Sequence, residues 1–203
     1  MAKIKLGLIG CGGMANAHRQ RFGELHEQFE LVAAVDVDRA RAAAVAEFFP
    51  AVKVASDFRD VLDDVEAVLV ALPHHLHYSV SKACLLAGKH VLVEKPLANS
   101  AEECLDLVAT AATAQRVLMV AYCMRFHPLV MRMKELLAAE TYGEVFQVSL
   151  WTEQLTRYAP DHWASSAATL GGGQLFSHGC HYIDILLWYL GDPIQGTHMG
   201  TNL

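Results

Sequence analysis

The feature that most constrains this chain's fold is a row of short runs that stay apolar through their centres. They are "KIKLGLIG" from Lys3, "FELVAAVDV" from Phe29, "VEAVLVALP" from Val65, "KHVLVE" from Lys89 and "RVLMVAY" from Arg116. A strand with one wet face alternates apolar and polar side chains; these do not, so both of their faces must be covered. Helical stretches separate them: residues 14–27, the alanine-rich "RARAAAVAEFF", residues 78–88 closed by Gly88, and a helix to about Gln115. The last opens on Ser100-Ala101-Glu102-Glu103, a capping box. Alternating strands and helices predict an α/β domain with a doubly wound parallel sheet over residues 1–123.

Beyond residue 123 the rhythm changes. A helix over Pro128–Ala139 precedes "EVFQVSLWTEQ", which alternates as a half-exposed strand does, and "GGG" at 171–173 precedes a helix from about Gln174 to Leu190. One hairpin's worth of sheet cannot stand alone. Residues 124–203 are therefore expected to form an incomplete α+β domain with an open, mainly antiparallel sheet.

Composition narrows the function classes. The 203 residues carry a formal net charge of −6 with no basic stripe, which argues against nucleic acid as a partner. Five scattered cysteines, never in C-x-x-C spacing, suit a reducing, cytoplasmic setting without disulfides or a zinc finger. The N-terminal apolar stretch from Leu6 is too short and glycine-rich for a signal segment. No apolar run approaches the roughly 18 residues of a membrane span, so no membrane association is expected.

Gly10-Cys11-Gly12-Gly13-Met14-Ala15 reads G-x-G-x-x-A directly after a strand and at the opening of a helix. Glycines there permit a tight turn and a close backbone approach to a pyrophosphate, whose charge the helix N-terminus favours. Asp36 ends the following strand, where a carboxylate can accept the adenosine ribose hydroxyls and would repel a 2′-phosphate. NAD is favoured over NADP, with Arg39 and Arg41 moderating the preference. The plainer alternative is a glycine turn that binds nothing. In "ALPHHLHYS", Leu72, Pro73 and His74 are expected to shape the cofactor's floor, with His77 capping or packing the following helix. The histidines lack a carboxylate or cysteine partner at metal-ligand spacing, so no metal is expected.

"EKP" at 94–96 raises the second question. Lys95 at a strand's carboxyl end could steady a substrate oxyanion. Glu94 could pair with Lys95 or hold the cofactor's ribose; alternatively the two form a surface ion pair of little energetic value. Ser177, His181 and Asp184 lie at i, i+4 and i+7, a polar stripe on an apolar helix. His181 could take an alcohol proton as a general base, or be a core histidine bonded to Ser177 or Asp184.

With these motifs in hand, the chain resembles the Gfo/Idh/MocA family, named for glucose–fructose oxidoreductase and inositol dehydrogenase. The resemblance rests on residues 10–15, "LPHHLH" at 72–77, "AGKHVLVEKPLA" at 87–98 and "GGGQLFSHGCHYID" at 171–184. It implies a Rossmann domain holding NAD(P), Lys95 and His181 as catalytic residues meeting across one bound alcohol, and a sugar, cyclitol or similar polyol as substrate. "YCMRFHP" resembles the crossover into the second domain, with Arg125 near cofactor or substrate. Tyr158, His162 and Trp163 are expected substrate contacts from their character alone. Many members carry aspartate where Ser177 stands; a hydroxyl can orient an imidazole but adds no negative charge. Members also continue further, usually as homo-oligomers, so this chain is expected to be truncated. Two alternatives stay open: transient redox with bound NAD during sugar cleavage or elimination, and a non-catalytic NAD-binding module.

Overall fold

In a computed structural model, residues 2–49 and 51–200 are described. They fall into two units, one comprising residues up to Ala121 together with Tyr158–Gly173, the other Tyr122–Arg157 together with the chain from Gln174. This grouping differs from a single division at residue 123 in one segment: Tyr158–Gly173 packs with the first unit, because its ring and carbonyl groups meet the start of a helix there, as described below.

The first unit is a six-stranded parallel sheet in the order β3-β2-β1-β4-β5-β6. The strands are β1 (Ile4–Ile9), β2 (Phe29–Val35), β3 (Lys53–Ala55), β4 (Ala67–Val70), β5 (His90–Val93) and β6 (Leu118–Val120). The helices are α1 (Gly13–Glu24), α2 (Arg39–Ala46), α3 (His74–Leu86) and α4 (Ala101–Ala114), with a short α6 (Ala167–Leu170). This is the strand order of doubly wound dinucleotide-binding sheets, with the crevice where the order reverses beside β1. The strand β3 and the 3₁₀ stretch Phe58–Asp64 were not legible, since three residues are too few to display a period.

Continuous apolar runs work here because successive side chains enter opposite cores. Leu8 and Leu69 pack under α1 and α2 with Phe22 and Val45, while Ile9, Val68 and Val70 join Leu85 and Leu107 on the other face. Each such side chain contributes about 1.5–3 kcal/mol by leaving water. Local signals hold as well. Ser100 Oγ accepts the Glu103 N–H (3.2 Å), and Glu103 Oε2 takes the N–H of Asn99 (3.1 Å), one residue before the cap. The α3 helix starts four residues earlier than its apolar pattern, because Pro73 can stand at its N-cap without a missing donor mattering.

The second unit contains α5 (Pro128–Ala138), a π-helical turn Leu175–Gly179 and α7 (Cys180–Leu190). The strand expected over 144–154 is not formed, and no antiparallel sheet occurs among the described residues. Alternation supplies a strand's side-chain pattern, but a strand needs a neighbour for its backbone groups, and no described segment provides one. The helix expected from Gln174 begins as the π-turn, which shifts the phase of the polar stripe before α7 starts.

Candidate functional site

Three of the predicted motifs follow β1, β4 and β5, neighbouring parallel strands, so they share the sheet's carboxyl edge. Gly10 has φ +94°, and a Cβ there would lie 2.3 Å from the Ala71 carbonyl oxygen; only glycine fits. Gly12 and Gly13 differ. A Cβ on either would meet nothing within 4 Å, so the protein's own packing does not explain them. Both face a cavity of about 770 Å³ that also takes in Gly10, Met14, Asp36, Leu72 and Pro73. Ala15 is fully buried behind the loop.

Asp36 holds the loop in place. Its Oδ2 accepts the Cys11 N–H (2.8 Å) and its Oδ1 the Asp38 N–H (2.9 Å), leaving lone pairs on both oxygens. Arg41 also lines the cavity, and its Nε lies 3.2 Å from Asp38 Oδ2 in an exposed ion pair. Burial, and then the Asp36 charge, push the Cys11 thiol up to about 12, so it is no nucleophile at neutral pH.

Tyr158, His162 and Trp163 line this same cavity in the first unit. The Tyr158 and His162 rings are stacked at 4.7 Å, and Trp163 meets the His74 ring edge-on at 4.8 Å. His74 Nδ1 donates to the Leu170 carbonyl (2.9 Å), and burial lowers its pKa to about 4, so it is neutral at pH 7. His77 is fully buried and does more than cap a helix: its two ring nitrogens lie 2.8 Å from the Leu72 carbonyl and 2.7 Å from the Pro96 carbonyl. A neutral imidazole carries one N–H, so the ring donates to one of these carbonyls while it packs against the other, between the segments after β4 and β5. Burial lowers its pKa, against the pull of the two carbonyls.

Lys95 follows β5 half-buried, joined to Pro96 by a cis peptide bond. Glu94 is 6 % exposed, and its shortest bond is to a residue that was not expected: Oε1 lies 2.7 Å from Nε2 of His18 on α1, while Oε2 takes the Lys95 backbone N–H at 3.3 Å. Burial pushes the Glu94 carboxyl up, but the His18 hydrogen bond and charge, then Lys95, hold it below its usual range. His18 was missed in the sequence because its partner stands 76 residues away; its only local signal is a histidine shortly after the glycine loop.

In the second unit, the polar stripe of α7 is divided. Asp184, 8 % exposed, is gripped by Arg125 through a two-pronged pair: Nε to Oδ2 at 2.7 Å and Nη2 to Oδ1 at 2.5 Å. The pair raises the Arg125 pKa. Asp184 thus serves Arg125 rather than His181. The His181 ring stands edge-on to Tyr122 at 6.0 Å and to His178 at 6.3 Å, one turn after Ser177 in the π-turn. Among the described residues, no group of three histidine, cysteine or acidic side chains is placed to hold a metal, and no helix is long and apolar enough to cross a membrane.

Comparison with known proteins agrees with the fold of the first unit. Residues 4–122 match the family described as "Oxidoreductase family, NAD-binding Rossmann fold", and residues 130–202 match the "GFO/IDH/MocA C-terminal domain". The chain is 34% identical to inositol 2-dehydrogenase 2 of Saccharopolyspora erythraea over 94% of its own length and 55% of that protein's. It is 33% identical to D-xylose 1-dehydrogenase (NADP(+)) 2 of Haloferax volcanii over 82% of its length and 51% of that protein's. The WlbA dehydrogenase of Bordetella pertussis, solved with NADH and UDP-GlcNAcA, superposes with a TM-score of 0.85 at 26% identity, covering 93% of this chain and 56% of that one. The chain spans about half the length of the curated relatives it matches. With an NAD-binding fold, the G-x-G-x-x-A loop and both family regions in order along it, the chain belongs to the Gfo/Idh/MocA oxidoreductase family.

Proposed function

We propose that this chain carries the cofactor and catalytic residues of an NAD-dependent oxidoreductase acting on a hydroxyl or carbonyl carbon of a sugar, cyclitol or related polyol. The observation that carries this reading is the cavity at Gly12 and Gly13, where space no side chain of the protein fills lies beside an ordered carboxylate, Asp36. NAD, when bound, supplies the hydride acceptor. Gly10, Gly12, Gly13, Met14 and Ala15 seat its pyrophosphate at the start of α1, and Asp36 accepts ribose hydroxyls through its remaining lone pairs. NAD is preferred to NADP because an added phosphate would meet the Asp36 carboxylate, with Arg41 on the cavity lining moderating the preference. Leu72, Pro73, His74 and His77 shape the other end.

In this reading Tyr158, His162 and Trp163 cover the dinucleotide rather than select the substrate, since they line the same cavity as the glycine loop. Lys95 steadies the developing oxyanion, His181 removes the hydroxyl proton, and Ser177 orients the imidazole. Arg125, engaged with Asp184, holds α7 rather than the cofactor. The setting is cytoplasmic, and the full-length protein is a homo-oligomer without nucleic-acid or membrane partners.

A panel of sugars and cyclitols with excess NAD tests the proposal. Steady NADH formation, lost about 10²–10³-fold in Lys95→Ala with NAD affinity kept, is the expected result. Product without net NADH would replace it with transient redox. NAD binding with no turnover on any polyol, unaffected by Lys95→Ala, would leave only a nucleotide-binding module.

A further inference from the structure

We propose that His18 is a positioning residue for Lys95, acting through the buried carboxylate of Glu94. The inference rests on reading Lys95 as the amine that meets the substrate; the pairing on which it is built does not. His18 lies in the second turn of α1, and its ring orientation is fixed on both sides. Nε2 is 2.7 Å from Glu94 Oε1, and the ring stacks on Phe22 at 6.2 Å, itself part of the core beneath α1. A carboxylate accepts only, so His18 must present its Nε2–H to Glu94.

Burying a carboxylate is costly unless it is paired, and Glu94 is nearly fully buried. The charged and titratable groups that act on it are His18 from α1, Lys95 from its own loop, and His74 and His77 from α3. Of these, His18 makes the short side-chain hydrogen bond. With Oε1 committed to α1, Glu94 holds the Lys95 backbone N–H through Oε2. Without His18, the carboxylate must either take up a proton or turn to the adjacent ammonium, and either change moves Lys95 out of register with its substrate. Because α1 begins at the glycine loop, the same bond links the helix that seats the pyrophosphate to the residue that meets the reacting oxygen.

The test compares the wild-type chain with His18→Ala and His18→Gln, whose side-chain amide can still donate to the carboxylate. Carbon-13 NMR follows the Glu94 carboxyl titration, reductive methylation follows Lys95 reactivity, and calorimetry follows NAD binding. In His18→Ala the Glu94 midpoint should rise by about one pH unit or more and Lys95 reactivity should change. NAD affinity should stay within about threefold, and on an active substrate kcat should fall about ten- to hundredfold with little change in KM. His18→Gln should restore all of these in large part. An unchanged Glu94 titration in His18→Ala, or a shift that His18→Gln fails to reverse, overturns the proposal. Should His18→Ala not fold, the nitrogen-15 shift of His18 in the wild-type chain decides: an Nε2 without a proton overturns the link. Shifts as expected with no turnover on any polyol would keep the link and overturn the oxidoreductase reading alone.

Discussion

In the first unit Leu8, Leu85 and Leu107 are fully buried, whereas in the second α5 buries no residue and Phe146 and Trp151 stand almost wholly exposed. Both regions are rich in apolar side chains. The difference lies in the backbone. Each strand of the first unit finds a parallel neighbour, so its amides and carbonyls are paired and its side chains can be covered on both faces. The alternating stretch from 144 has no strand partner among the described residues, and its polar backbone remains with water. An apolar pattern becomes a core only where the backbone that carries it is satisfied too.

The contrast is broken most directly by truncating one side chain from each region. Leu8→Ala should cost about 3–4 kcal/mol in urea unfolding followed by a first-unit probe. Phe146→Ser should stay within about 0.5 kcal/mol, as exposed sites do. Equal effects would mean that the second region is as well packed as the first.

Acid sharpens the comparison next, because the first unit buries a neutral histidine. The unfolded chain binds a proton at His74 near pH 6.5, which the folded unit refuses until about pH 4. Stability is therefore full above pH 6.5 and falls as pH drops through that window, by up to about 3 kcal/mol. His77 acts in the same direction. Glu94, with its carboxyl held low, adds a loss below about pH 4.5. His74→Gln should flatten the slope between pH 6.5 and 4 in denaturant titrations; an unchanged slope would remove His74 from the account.

The smallest effect on stability should come where the first unit itself is unfilled. Gly12→Ala and Gly13→Ala place a methyl group in open space and should alter thermal stability by less than about 1 kcal/mol. NAD affinity, read by calorimetry, should nevertheless fall about tenfold, or 1.4 kcal/mol. Unaltered affinity would show that the cavity is not the dinucleotide's seat.

Much of the candidate site was legible because its signals are local. A glycine loop after an apolar run, a capping serine with Glu103 three residues on, and Pro96 after Glu94-Lys95 are all complete within a few residues. What could not be read was who pairs with whom. Glu94 has Lys95 beside it in sequence, yet its carboxylate bonds His18. Asp184 shares a stripe with His181, yet it holds Arg125, 59 residues earlier. Tyr158–Trp163 precedes the second glycine run but lines the first unit's cavity.

The amino-acid sequence by itself determined the alternation of buried strands and helices, the glycine loop and the family, since these depend on neighbours along the chain. Tertiary structure alone decided that β1 lies inside the sheet between β2 and β4, that His18 answers Glu94, and that the alternating stretch near Phe146 stays unpaired. Such pairings are settled by which groups reach each other once backbone hydrogen bonds and apolar faces have been satisfied together, and no short window of residues contains that information.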